Sequence, residues 1–321
     1  YELLYGPIFG SAHPRLRQVL PTGVGPEGLL AIPKRDLFVV ASEKDARGDK
    51  YRSTLTLYKR TGDPNYPTIV SANRTGTDIP IPWAALSGLV TDPGNDDTVY
   101  TIHDSFYQQS RIYKMDVSDE PAVIKRDAAL LDANGVLENA LDALKAALPP
   151  NAIVDFDVDA LVNADATVNV DPEGIAVDGG GAFWVASEGT GNLVNGVSDP
   201  NDRPFESPDA LLQATVVGDQ AIIEDVVFPP LSLTLNQLRF GFEGVSVDGD
   251  FLYVAFQRAS TSAGDPADRA RIGRYDLTAE TWGFVYYPLD AATSPNGGWV
   301  GLSELTHLGG SEFAVIERDN Q

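Results

Sequence analysis

Short apolar runs recur along this chain, most of them closed by a carboxylate. The fullest copy is Asp171-Pro-Glu-Gly-Ile-Ala-Val-Asp178, followed by Ala182-Phe-Trp-Val-Ala-Ser-Glu188. It reads as a turn, a short strand, a tight turn and a second strand. Pro26-Glu-Gly-Leu-Leu30 leads in the same way to Leu37-Phe-Val-Val-Ala-Ser-Glu43, and Leu86-Ser-Gly-Leu-Val-Thr-Asp92 to Thr98-Val-Tyr-Thr-Ile-His-Asp104. Phe242-Glu-Gly-Val-Ser-Val-Asp248 leads to Phe251-Leu-Tyr-Val-Ala-Phe-Gln-Arg258, and Gly301-Leu-Ser-Glu-Leu305 to Glu312-Phe-Ala-Val-Ile-Glu-Arg318. A strand pair in every copy of a repeat marks a solenoid or a propeller. The leading positions Glu27, Ser87, Glu173, Glu243 and Glu304 stand 60, 86, 70 and 61 residues apart. A minimal four-stranded blade needs only ~40–45 residues, so the blades carry insertions, the largest in the longest gap. We therefore expect an all-β fold, a β-propeller of five or six blades. It would form one domain over residues 1–321, because each strand pair needs neighbours to bury both faces.

The segments between repeats refine this picture. Arg52 to Lys59 alternates apolar and polar positions and reads as a half-buried strand. Arg111-Ile-Tyr-Lys-Met-Asp116 and Arg271-Ile-Gly-Arg-Tyr-Asp276 are matching further strands of the second and fourth repeats. Asn134 to Leu148 predicts a helix, with Val136, Leu137, Ala140, Leu141, Leu144 and Leu148 on one face. Asn134 would cap it and Pro149 would stop it, making a helical insertion over about 127–150 that packs on the blades. Asp155 to Ala160 looks at first like a calcium loop, but an EF-hand needs Gly and Glu where Ala160 and Ala166 stand. It reads instead as an edge strand. Asn192 to Asp209 and Ser260 to Asp268 are long polar loops. Tyr1 to Gly25 is expected to give the last blade an outer strand; otherwise those strands lie beyond Gln321.

Charge narrows the function. Asp and Glu number 46 against 23 Lys and Arg, a net charge of −23. Nucleic acid and anionic membranes demand a basic surface, so neither is an expected partner. An acidic surface suits solubility and cation binding. The chain has no cysteine and hence no thiol chemistry. No stretch approaches the ~20 apolar residues of a membrane-spanning helix. Tyr1 is not an initiator methionine, which fits an exported bacterial protein, periplasmic or secreted, whose leader has been removed.

In a propeller the innermost strand of each blade lines a central channel. The turns before those strands would place Glu27, Ser87, Glu173, Glu243 and Glu304 around its mouth. The ends of the second strands would add Glu43, Asp104, Glu188, Gln257 and Glu317. Such carboxylates cannot all stay ionised close together without a cation. Oxygen ligands without cysteine point to Ca²⁺, with Mg²⁺ or Mn²⁺ as alternatives. Arg258 and Arg318 share this register and could hold a small anionic ester. His103, beside Asp104, is the candidate base. A second reading stands next to this one: Glu-Gly can recur as a structural staple, the carboxylate accepting main-chain hydrogen bonds and the glycine permitting the turn.

The repeated Glu-Gly-(Ile/Val)-x-Val-Asp with its aromatic sequel, and the closing Phe313-Ala-Val-Ile-Glu-Arg-Asp-Asn320, resemble the bacterial family described as esterase-like activity of phytase. The resemblance runs from about Pro26 to Gln321. It implies a β-propeller of exported or periplasmic proteins, hydrolysis of phosphate or other esters, and a further strand past Asn320. It carries no catalytic residues with it. Three functions follow: a metal-assisted ester hydrolase, a non-catalytic calcium-stabilised propeller that binds a ligand or protein, and a lactonase-type hydrolase.

Overall fold

The apolar runs form strands, and the strands form antiparallel meanders. A computed structural model describes residues 20–45, 53–59, 68–149, 161–190, 207–237, 239–292 and 298–319. The expected outer strand before Gly25 and the expected edge strand at 155–160 lie largely or wholly outside the described residues. The chain divides into two compact units, residues 1–68 and 69–320.

In the first unit, β1 (Pro26–Ile32), β2 (Leu37–Ser42) and β3 (Thr54–Lys59) make one antiparallel sheet. Leu30 pairs with Val39, and Val39 with Leu57.

In the second unit, β4 (Ile69–Ser71) pairs in parallel with residues 122–124. Strands β5 (Leu86–Asp92), β6 (Asn95–His103), β7 (Arg111–Asp116) and β8 (Ala122–Leu131) form a four-stranded meander. A second consists of β9 (Pro172–Val177), β10 (Phe183–Ser187), β11 (Ala210–Val217) and β12 (Gln220–Val227). A third is β13 (Phe242–Asp248), β14 (Phe251–Phe256), β15 (Arg269–Asp276) and β16 (Thr281–Pro288), and β17 (Val300–Gly309) pairs with β18 (Glu312–Asp319). The first two meanders join where β8 and β12 run parallel for three residues.

The continuous apolar runs now have a cause. Strand β10 is buried throughout. Its Phe183 and Val185 enter a core with Ile102, Ile112 and Leu130, whereas Trp184 and Ala186 enter another with Phe242 and Phe256. Successive side chains point to opposite faces of a strand, so a sheet covered on both sides must be apolar at every position. Strand β14 repeats the arrangement: Leu252, Val254 and Phe256 face one core, and Ala255 faces the next with Leu302 and Leu305. Each meander is thus packed face to face against its neighbours.

The first strands β5, β9, β13 and β17 run alongside one another at close quarters. A Cβ on Gly88 would lie 2.8 Å from the Gly174 Cα, one on Gly174 2.5 Å from the Glu243 carbonyl, and one on Gly244 2.2 Å from the Leu305 nitrogen. These glycines are therefore required by backbone contact between neighbouring strands. They do not adopt the left-handed conformation that a turn would ask of them.

The helix forms as α1, Val136–Ala147, with Leu137, Leu141 and Leu144 buried in the first core. Its cap differs from expectation. Gly135 holds the N-cap position, and the Asp132 carboxylate accepts the main-chain N–H groups of Leu137 and Glu138, both at 2.9 Å. A bidentate acceptor satisfies two of the orphan donors at a helix start; Asn134 takes no such part. No helix among the described residues is long and apolar enough to cross a membrane.

Candidate functional site

The recurring Glu-Gly sits in a β-bulge inside the strand. Between the pairs Pro172↔Ser187 and Gly174↔Ala186, Glu173 is the extra residue. Glu243 and Gly244 together oppose the single residue Ala255 between Phe242↔Phe256 and Val245↔Val254, and Ser87 and Gly88 oppose Ile102 between Leu86↔His103 and Leu89↔Thr101. A bulge releases a residue from the ladder and re-aims its side chain. Here it re-aims the same position in three adjacent strands. The second strands end in the same register, which adds Asp104, Glu188 and Gln257.

The second unit brings these groups together. Asp104, Asp171 and Glu173 each offer an oxygen within 4.8 Å of the other two. The Ser87 hydroxyl donates to the Glu173 carboxylate at 2.9 Å, and Gln257 Nε2 donates to Glu243 Oε1. Glu188 Oε1 accepts the Gly241 N–H at 3.1 Å, and Glu304 Oε1 accepts the Leu305 N–H at 2.7 Å. Asp209 accepts the N–H groups of Gly189 and Phe242 through Oδ1, while its buried Oδ2 has no hydrogen-bond partner.

Burial and mutual repulsion act in the same direction on these carboxyls. Burial, then the charges of Asp171 and Asp104, push Glu173 up to about 8. Glu188 is raised to about 8 by burial and by Asp209 and Glu243. Glu243 reaches about 8 through burial and Glu173, against the pull of Arg318 and Gln257. Asp209 and Glu304 rise to about 7, chiefly by burial, and Asp171 rises through burial and its neighbour Asp104. At neutral pH such a cluster holds protons or a cation.

Burial, reinforced by charge repulsion, predicts a pH effect. The folded chain keeps these protons up to about pH 8, whereas an unfolded glutamate releases its proton at about pH 4.3. The folded state binds more protons across that window, so stability falls as pH rises through it. In a chelator, the melting temperature is expected to be higher at about pH 5 than at about pH 8. A melting temperature in chelator that does not change across the window would contradict this.

A cationic shelf adjoins the carboxylates. The Arg258 guanidinium lies 4.7 Å from the Phe240 ring centroid and 4.6 Å from that of Trp299. Arg239 lies over Phe240 at 4.9 Å and Arg318 over Trp299 at 5.8 Å. Phe240 adopts a positive φ of 59°, a strained conformation for a bulky residue. Its carbonyl accepts from Gln237 Nε2 at 2.7 Å and the Arg258 N–H at 3.3 Å. None of the three arginines has a carboxylate within ion-pair distance among the described residues. Burial lowers the pKa of Arg258.

Glu317 and His103 fall elsewhere within the second unit. Glu27 and Glu43 belong to the first unit, where both are exposed. Glu317 accepts the Asp290 N–H at 2.8 Å; adjacent side chains on a strand face opposite ways, so it turns from the side on which Arg318 acts on Glu243. His103 is fully buried, with Nδ1 2.6 Å from the Asp104 carbonyl and Nε2 3.0 Å from that of Gln109. It packs edge-on to Tyr107. Both nitrogens face the main chain, a packing role that leaves no lone pair for a substrate. Asp171, Asp209, Arg239, Phe240 and Trp299 were not picked out from sequence. Only Asp171 carried a signal, as the opening residue of the fullest repeat.

Antiparallel meanders packed face to face, with the first strands of the second unit meeting beside a nest of carboxylates, define a mostly-β protein. A family model described as phytase-like, esterase-like activity of phytase, matches residues 81–321. The chain belongs to that family, whose members are β-propellers and whose description points to ester hydrolysis. Comparison with curated proteins gave no match.

Proposed function

We propose that the protein hydrolyses phosphate esters at this acidic centre, with a divalent cation, calcium by preference, held by Asp104, Asp171 and Glu173. The carrying observation is the convergence of those three oxygens within 4.8 Å. Ligands around calcium at 2.3–2.6 Å lie at most about 5 Å apart, so the oxygens present fit that ion. All are hard donors, as calcium, magnesium and manganese prefer. When bound, such a cation supplies Lewis-acid polarisation and a more acidic water.

The chain's own residues have separable tasks. Arg258, Arg239 and Arg318 bind the anionic group, and the aromatic rings fix the Arg258 plane while its N–H edges remain without partners among the described residues. Glu188 and Glu243, each held near 8, can hold or release a proton close to neutral pH, as a general acid or base must. Export to a periplasmic or extracellular space is what the family resemblance implies, and five inner-strand repeats support five or six blades.

Arg258→Ala is expected to raise KM for a phosphate monoester by about tenfold or more, the loss of charge-assisted hydrogen bonds, with a smaller change in kcat. An unchanged KM would remove Arg258 from substrate binding. A non-catalytic reading is favoured by one contact: Ser87 Oγ also donates to the Glu173 carbonyl at 3.0 Å, tying neighbouring strands together. Under that reading a chelator lowers the melting temperature and no phosphate ester turns over.

A further inference from the structure

The second unit contains another cavity, at the far end of the inner strands. Asp92 and Val177 line it, and they close strands whose opposite ends carry Ser87 and Glu173. At about 3.3 Å per residue, Val177 lies roughly 13 Å along β9 from Glu173. The cavity exists because β8 and β12 pair only at Ala129↔Gln220, Leu130↔Ala221 and Leu131↔Ile222. Strand β12 begins only at Gln220, so β8 has no partner on that side before Ala129, and a wedge of about 270 Å³ remains beside the Gly218 turn. Its walls are Ile112, Ala128, Val177, Phe183 and Val216.

Its charges are arranged unusually. Lys114 on β7 and Arg126 on β8 are directly opposed cross-strand partners, and both line the cavity. Like charges placed directly opposite destabilise a sheet. Lys114 has a partial counter-ion, Asp92 Oδ2 at 3.5 Å, but that oxygen already accepts the Tyr100 hydroxyl at 2.9 Å. Asp127, the other acid in the lining, is occupied by Arg74 at 3.1 Å and Arg111 at 2.8 Å. The Arg126 side chain has no hydrogen bond or ion pair among the described residues. In a chain with twice as many acids as bases, this pocket is left with an unmatched guanidinium beside an ammonium.

We propose that this wedge is a second binding site, for a small anion with a flat apolar body, such as an aromatic carboxylate. The carboxylate bridges Lys114 and Arg126, relieving their opposition. The ring lies against Phe183 and Ile112, where Tyr100 and Phe183 already pack edge-on at 4.7 Å. The volume admits one ring with a short substituent and is below the ~300 Å³ at which drug-sized pockets begin. The site is independent of the acidic centre and of any reaction there.

Calorimetric titration of the whole chain with benzoate tests it, with benzylamine and benzyl alcohol as probes of charge. Saturable benzoate binding is expected, weaker binding of the alcohol and none of the amine. Arg126→Glu, an exposed position, should weaken benzoate by about tenfold or more with the melting temperature unchanged. Val216→Phe keeps both cations, fills the wedge and should also weaken it, whereas Glu173→Gln should not. Absence of saturable benzoate binding, equal binding of the amine, or benzoate affinity untouched by both wedge variants would overturn the assignment.

Discussion

Glu173→Gln is expected to lower phosphate-ester turnover by about 100-fold or more, because charge stabilisation by a bound cation is worth several kcal/mol at the reacting oxygen. The same change should leave the metal-free protein as stable as before, or more so. Glu173 faces the charges of Asp171, Asp104 and Glu188 in a buried setting, and a neutral amide removes one partner from that repulsion. The Ser87 hydroxyl, which donates to the carboxylate, can still donate to the amide oxygen. Turnover is measured with a chromogenic phosphate monoester and stability by thermal melting in chelator. Turnover kept near the original level would separate the acidic centre from the chemistry. A large loss of stability would make Glu173 a staple.

Gly174→Ala is expected to cost about 3 kcal/mol or more, at the upper end of overpacking effects. The new methyl would stand 2.5 Å from the Glu243 carbonyl and 2.7 Å from the Val245 nitrogen. These are backbone atoms of the neighbouring strand, so no rotamer change can relieve the contact. Gly179 provides the control, since a Cβ there meets nothing within 4 Å. Gly179→Ala should shift stability by no more than about 0.5 kcal/mol. Urea unfolding of both variants makes the comparison. Equal stabilities would mean that the inner strands are not in the close contact described.

The repeat was legible because one local device, the bulge with its glycine, recurs in the same sentence of residues. The glycine's purpose was not. Sequence suggested a turn, whereas Gly88, Gly174 and Gly244 answer to a backbone some 60 to 90 residues away. The face-to-face packing was visible as unbroken apolar runs such as Phe183 to Ala186. Within the site, Glu173, Glu188, Glu243 and Glu304 could be read from register alone. Asp209 could not: it precedes an outer strand, has no counterpart in the other repeats, and enters the site only by accepting N–H groups from Gly189 and Phe242. Trp299 likewise meets Arg258 from a distant segment, and Arg239 lies over the Phe240 ring that Arg258 also faces. Glu317 was misplaced by a single residue of strand alternation, and His103 by treating adjacency to Asp104 as a shared task.

The central claim is that a positive ion makes these buried carboxylates compatible. Elemental analysis of protein purified without added metal, followed by calcium titration of the stripped protein, tests it most directly. The account predicts a stoichiometric divalent cation, calcium foremost, removed by chelator, regained on titration, and lost from a chain carrying Asp171→Asn and Glu173→Gln together. A folded, unmodified chain that binds no divalent cation even at millimolar calcium would contradict it.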